Sequence, residues 1–104
     1  MSEEFSRTVT VNEPNGLHLR PAGMIAELAS QFSAEISIEK DGEPVDGKSV
    51  LSIVTLVASH GTLLVIRAVG ADAEQAVDRL ADLFEQGFSL PDVAEQGDQA
   101  GRDS

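Results

Sequence analysis

The apolar residues of this 104-residue chain change period as the sequence runs, and that change limits the fold more tightly than composition does. Phe5, Val9 and Val11 share one face of an alternating segment and Ser6, Thr8 and Thr10 the other, as in a half-buried strand. After the break at Glu13, Pro14, Asn15 and Gly16 the spacing becomes helical. Over residues 20–32, Ala22, Ile25, Ala29 and Phe32 form a stripe that Ala26 and Leu28 widen. Alternation returns with Ala34, Ile36 and Ile38 directed inward. Asp41 and Gly42 predict a hairpin, because both central positions of a type I′ turn need positive φ. The return strand is short and contains Pro44, which places it at a sheet edge.

Residues 49–61 are ambiguous. Their Val and Ile content favours a strand, yet Val50, Ile53, Val54 and Val57 fall at i, i+3, i+4 and i+7, with Ser49 as N-cap and Gly61 as stop. A short helix is expected. Residues 62–70 read as an apolar, central strand. Residues 71–88 form an amphipathic helix that buries Ala73, Ala76, Val77, Leu80, Leu83 and Phe84, capped by Asp72 or its neighbour and ended by Gly87. The order βαββαβα predicts an α+β, two-layer sandwich, an antiparallel sheet with its helices on one side. Leu63, Val65 and Val69 then share the face turned away from the helices. A partner, or Phe88, Leu90 and Val93, would cover that strip.

A chain of this length holds one core and one domain. It has 18 acids against 7 bases, a formal charge of −11, so nucleic acid is excluded as a partner: phosphate binding relies on clustered Lys and Arg. Zero cysteines exclude a disulfide framework and thiolate metal sites. No apolar run approaches the roughly 18 residues of a membrane span, and no secretory pattern is present. A cytoplasmic protein without membrane insertion is expected. Its last residues, rich in Gln, Gly, Asp and Ala, read as disordered.

The chemistry concentrates at His18. Pro21 is tolerated in a first helical turn, which puts His18 at or just before the helix N-terminus. Free N–H groups and the positive end of the dipole favour an anion there by about 0.3–1 kcal/mol. The same dipole disfavours an imidazolium, and a neutral imidazole keeps a nucleophilic lone pair. Arg20 can turn a planar fork of donors towards a phosphoryl oxygen. These features suit a histidine that accepts a phosphoryl group. No Walker loop, zinc spacing or Ser-His-Asp elbow is visible, so the group must come from and go to other proteins. Spacing alone also leaves open an ordinary polar histidine near a turn and a solvated arginine. His60, beside Gly61, reads as a plain turn residue.

The stretch Asn15-Gly16-Leu17-His18-Leu19-Arg20-Pro21-Ala22 resembles the active-site motif of HPr, the histidine-containing phosphocarrier of the bacterial phosphoenolpyruvate-dependent phosphotransferase system. Residues 47–56 resemble the family's second signature, and the resemblance covers roughly residues 5–88. It implies an open-faced β-sandwich, a four-stranded antiparallel sheet with three helices, over residues 1–88; composition, not the resemblance, makes 89–104 an acidic, flexible tail. It also implies that His18 takes phosphate on Nδ1 from phosphorylated enzyme I and passes it to an enzyme IIA domain or a regulatory target, with Arg20 assisting. Asn15, Gly16 and Pro21 would shape the loop, and Leu17, Val50 and Leu51 would meet partners. Ser49 matches the serine that HPr kinase/phosphorylase modifies in many relatives; a plain N-cap explains a serine there equally well, at about 1 kcal/mol. A monomer without metal or cofactor is expected, a carrier rather than an independent catalyst.

The sequence departs from the family pattern at three places. Leu19 stands where relatives carry a small residue or Thr. Glu27, Ser30 and Ser52 replace lysines that meet acidic partners in sugar-system members. Residues 89–104 have no counterpart. The ending at residues 81–88 and the missing basic residues resemble the nitrogen-related NPr branch. Two other classes stay open: a regulatory HPr-like or NPr-like binding module acting through Val50 and Leu51 without carrying phosphate, and a domain detached from a larger transferase.

Overall fold

The computed structural model describes residues 3–89. Seven elements follow in the order expected: β1 (Glu4–Thr10), α1 (Leu19–Ala29), β2 (Glu35–Lys40), β3 (Glu43–Asp46), α2 (Val50–Val54), β4 (Leu63–Val69) and α3 (Ala73–Glu85). The strands form one antiparallel sheet ordered β1-β4-β2-β3, with β4 central and β3 at an edge. The architecture is an open-faced sandwich of four strands and three helices. Alternation does the sorting: Val9 of β1, Ile36 and Ile38 of β2, and Leu64, Ile66 and Ala68 of β4 are buried. They meet Ala22, Ile25, Ala26 and Ala29 of α1, Ile53 of α2, and Ala76, Val77, Leu80, Ala81 and Phe84 of α3. Many of these are alanines, which let a helix lie close to the sheet.

Asp41 and Gly42 adopt φ of 54° and 83°, so the β2-β3 turn has the two left-handed positions that its residues favour. Pro44 stands opposite Glu39 in the edge strand, where its missing N–H interrupts little. At the other end of the chain, the Gly87 N–H donates to the Phe84 carbonyl and the Phe88 N–H to that of Leu83, closing α3.

Three expectations need correction. The second helix ends at Val54, well before Gly61. Val57 takes φ of +50°, which a β-branched residue adopts only under strain and which no helix can pass through. Lys40 Nζ, reaching over from β2, binds the Leu56 and Val57 carbonyls at 3.1 Å each and satisfies the frayed end. Gly61 instead sits in the turn before β4, its N–H bound to the Val11 carbonyl.

The second correction concerns Phe88. It lies not over the outer sheet face but 1% exposed in the helix-side core, edge-to-face with Phe84 at 4.9 Å. Leu63 remains 62% exposed, with Val65 and Val69 half-buried beside it. Leu90 and Val93 lie outside the described residues. Across that face Arg67 bridges Glu39 of β2 at 2.9 Å and Glu4 of β1 at 3.0 Å, tying three strands through one part-buried and one exposed, screened contact.

The third correction is Asp72. It occupies the N-cap position of α3, but its side chain makes no capping bond. Its carboxylate accepts the Ser33 and Ala34 N–H groups, at 2.9 Å each, and so ties the turn between α1 and β2 to the start of α3. The Ser33 N–H, aided by Ala34, holds this carboxyl below its ordinary value against a partial desolvation that opposes the shift. A depressed folded-state value supplies stability above the ordinary carboxylate range, lost as pH falls through the folded value. Asp72→Asn should therefore be less stable than the wild-type chain at neutral pH. The gap between their urea midpoints should close on acidification, and a gap that stays constant would contradict the assignment.

Candidate active site

The motif loop is built by hydrogen bonds to a segment far away in sequence. Val11 N–H binds the Thr62 carbonyl at 2.9 Å, and Gly61 N–H returns to Val11 at 2.8 Å. A tight turn brings Gly16 N–H onto the Glu13 carbonyl at 2.9 Å. Gly16 has φ of +75°, and a Cβ there would stand 2.6 Å from the Ala58 carbonyl oxygen. That close approach lets Leu17 N–H bind the same oxygen at 2.9 Å. Leu17 is only 5% exposed, so it props the loop from beneath and offers a partner little surface beyond the wall of the depression beside His18. The loop is anchored through its middle.

His18 emerges from this anchor as the N-cap of α1, with φ −83° and ψ −167°. Its carbonyl accepts the Ala22 N–H at 3.0 Å, which starts the helix. Its ring makes no capping bond, and the residue is exposed. Pro21, buried in the first turn, has no N–H to satisfy. The N–H groups of Leu19 and Arg20 have no hydrogen-bond partner among the described residues. An anion on the ring can meet those donors and the positive end of an 11-residue helix. The ring borders a shallow depression of about 380 Å³ walled by Asn15, Leu17, Val54, Val57, Ala58 and Ser59. A larger hollow of about 500 Å³ lies against β2, β3 and β4, lined by Glu35, Pro44, Asp46 and Arg67 among others, and contains none of the motif residues.

Arg20 has a partner that sequence reasoning missed. Its Nη2 donates to Glu13 Oε2 at 2.8 Å, while Nη1 reaches Met24 Sδ at 3.3 Å and the Phe88 carbonyl at 3.4 Å. Glu13 is 7% exposed. In the sequence it reads only as part of a strand-breaking tetrapeptide, and its burial follows from the loop's anchoring.

Ser49 is the N-cap of α2, its Oγ accepting the Ser52 N–H at 3.2 Å, and it does not border the depression beside His18. Val50 is half-buried against the core, whereas Leu51 is 76% exposed. Leu19 and Val57, not singled out from sequence as contact residues, are similarly bare. His60 is an exposed turn residue. Among the described residues no His, Asp or Glu cluster could hold a metal ion, and no helix is long and apolar enough to cross a membrane.

The family model for the HPr component phosphorylation site of the phosphotransferase system matches residues 5–86. The chain is 48% identical to the phosphocarrier protein HPr of Borreliella burgdorferi, over 68% of this chain and 83% of that one. Identity to the HPr of Haemophilus influenzae is 39%, over 77% and 94%. The crystal structure of an HPr from Thermoanaerobacter tengcongensis superposes with a TM-score of 0.78 at 38% identity, covering 83% of this chain and 99% of that one. The open sandwich and these likenesses together define a phosphocarrier class. The chain belongs to the HPr family, phosphocarriers of the phosphotransferase system that do not turn over a substrate by themselves.

Gly16 offers a direct check on the anchor. Gly16→Ala must either drive a Cβ into the Ala58 carbonyl or give up the Leu17 bond. An L side chain at this φ costs about 1–2 kcal/mol before any overlap. A destabilisation of about 2 kcal/mol or more is expected in urea unfolding. An unchanged midpoint would mean that the loop is not held this way.

Proposed function

We propose that His18 accepts a phosphoryl group from phosphorylated enzyme I and passes it to an enzyme IIA-type domain. The observation that carries this reading is the exposed His18 ring at the N-cap of α1, ahead of two unpartnered backbone N–H groups. In the forward step the lone pair of a ring nitrogen, Nδ1 by family resemblance, attacks phosphorus. A phosphorus–nitrogen bond forms as the bond to the donor breaks, and that electron pair stays with the donor. The second transfer is the same displacement with His18 as leaving group. The protein contributes placement and charge stabilisation, which is most of what phosphoryl transfer asks of a protein.

Docking is assigned to the apolar surface around the ring: Leu19, Leu51 and Val57, with Val50 at its margin. With few bases nearby, partner recognition rests on shape and apolar contact, and acidic partner faces find little to attract them. Ser49 is a second, regulatory phosphorylation site in this reading. A phosphate there adds about −1.5 to −2 charge at a helix N-cap beside the docking surface, which opposes an acidic partner. A purely regulatory binding role has support in the 36% identity to the HPr-like protein Crh of Bacillus subtilis, over 70% of this chain.

Incubation with enzyme I, phosphoenolpyruvate and Mg²⁺ should give acid-labile, base-stable phosphate that is absent from His18→Ala. No label with several enzyme I proteins would favour the binding-module role. A parallel incubation with HPr kinase/phosphorylase and ATP should give acid-stable label lost in Ser49→Ala. Without it, Ser49 is a helix cap only.

A further inference from the structure

We propose that Glu13 is a positioning residue for the transfer: its buried carboxylate engages Arg20 while His18 is unloaded and competes with the phosphoryl group for that guanidinium once His18 is loaded. On the carrier reading above, Glu13 thereby sets how firmly the protein holds its cargo.

The pair is asymmetric. Glu13 is the one buried charged residue among those described, and its side chain is 10% exposed against 55% for Arg20. Its Oε2 lies 2.8 Å from Arg20 Nη2, and its Oε1 receives no hydrogen bond from any described residue. A buried carboxylate left without its cation is strongly disfavoured, so this anion keeps a standing claim on the arginine. Arg20 is otherwise lightly held: a sulfur at 3.3 Å and a carbonyl at 3.4 Å are weak partners. The geometry describes a fixed anion and a movable cation two residues from the reacting ring.

Loading changes the balance of charge around that cation. A phosphoryl group on His18 brings nearly two negative charges to the end of the helix that Arg20 also occupies. One guanidinium then serves two anions with its five N–H donors. Whatever Glu13 retains is withheld from the phosphoryl group, so the loaded state is less stable and the group passes on more readily. A neutral amide at residue 13 frees Arg20 for the phosphoryl oxygens and removes that destabilisation. The covalent chemistry stays the reversible displacement at phosphorus already described.

The test uses the full chain with catalytic enzyme I and Mg²⁺ at fixed ratios of phosphoenolpyruvate to pyruvate, reading the loaded fraction by intact mass. Glu13→Gln should raise the equilibrium constant for loading about fivefold, the scale of one strengthened charge-assisted hydrogen bond in a half-exposed setting. In an Arg20→Ala background the same substitution should change nothing, whereas a merely structural role would act in both. Glu13→Asp, charged but shorter, should give an intermediate rise, again only with Arg20 present. It decides the matter if the glutamine variant does not fold. Unchanged loading, or an equal shift with and without Arg20, overturns the role of Glu13 and leaves the carrier reading standing. A wild-type chain that takes no phosphoryl group at any ratio removes both.

Discussion

The bond from Leu17 N–H to the Ala58 carbonyl is the constraint on which the site depends. It joins the loop before α1 to the segment between α2 and β4, and it closes only because Gly16 brings no side chain into the gap. The companion bonds between Val11, Gly61 and Thr62 hold the base of the loop to the mouth of the central strand. With both ends fixed and Leu17 buried, His18 has one way to leave the loop: outward, at the N-cap of α1. The imidazole is presented on an anchored loop, as the role proposed for it requires.

Net charge and local field act in opposite senses here. A chain with a formal charge of −11 repels an incoming dianion at long range. The N–H groups of Leu19 and Arg20 and the helix axis favour it at contact. Screening by salt removes most of the first effect beyond about 8–10 Å and leaves the second largely intact. Transfer between docked proteins is governed by the local term, which is why an acidic carrier is physically consistent. Arg20 enters this balance already paired with Glu13.

Much of this was legible in the amino-acid pattern. Alternation in β1 and β2, the apolar run of β4, the helical stripes of α1 and α3, and the Asp41-Gly42 turn each fix one element through local geometry, and the family motif marked His18. What escaped reading depends on distant partners. The early end of α2 follows from a left-handed Val57 and a lysine arriving from β2, neither of which has a local signature. Leu17 looks like a contact residue in a motif, and only the Ala58 carbonyl explains its burial. Phe88 reads as a cover for the outer sheet face, yet the turn at Gly87 folds it back onto Phe84. Glu13 was invisible because an acid in a turn is ordinary until the loop around it is anchored.

The two margins of the sheet are unequal, and this bears on how copies of the chain can stick together. On one side lies a four-residue strand carrying Glu43, Pro44 and Asp46, a border whose charges and missing donor discourage any foreign backbone from pairing. On the other lies the seven-residue β1, rich in threonine and without proline. Pairing with a foreign strand is thus opposed more strongly along β3 than along β1, whose own charges are Glu4 and Arg7.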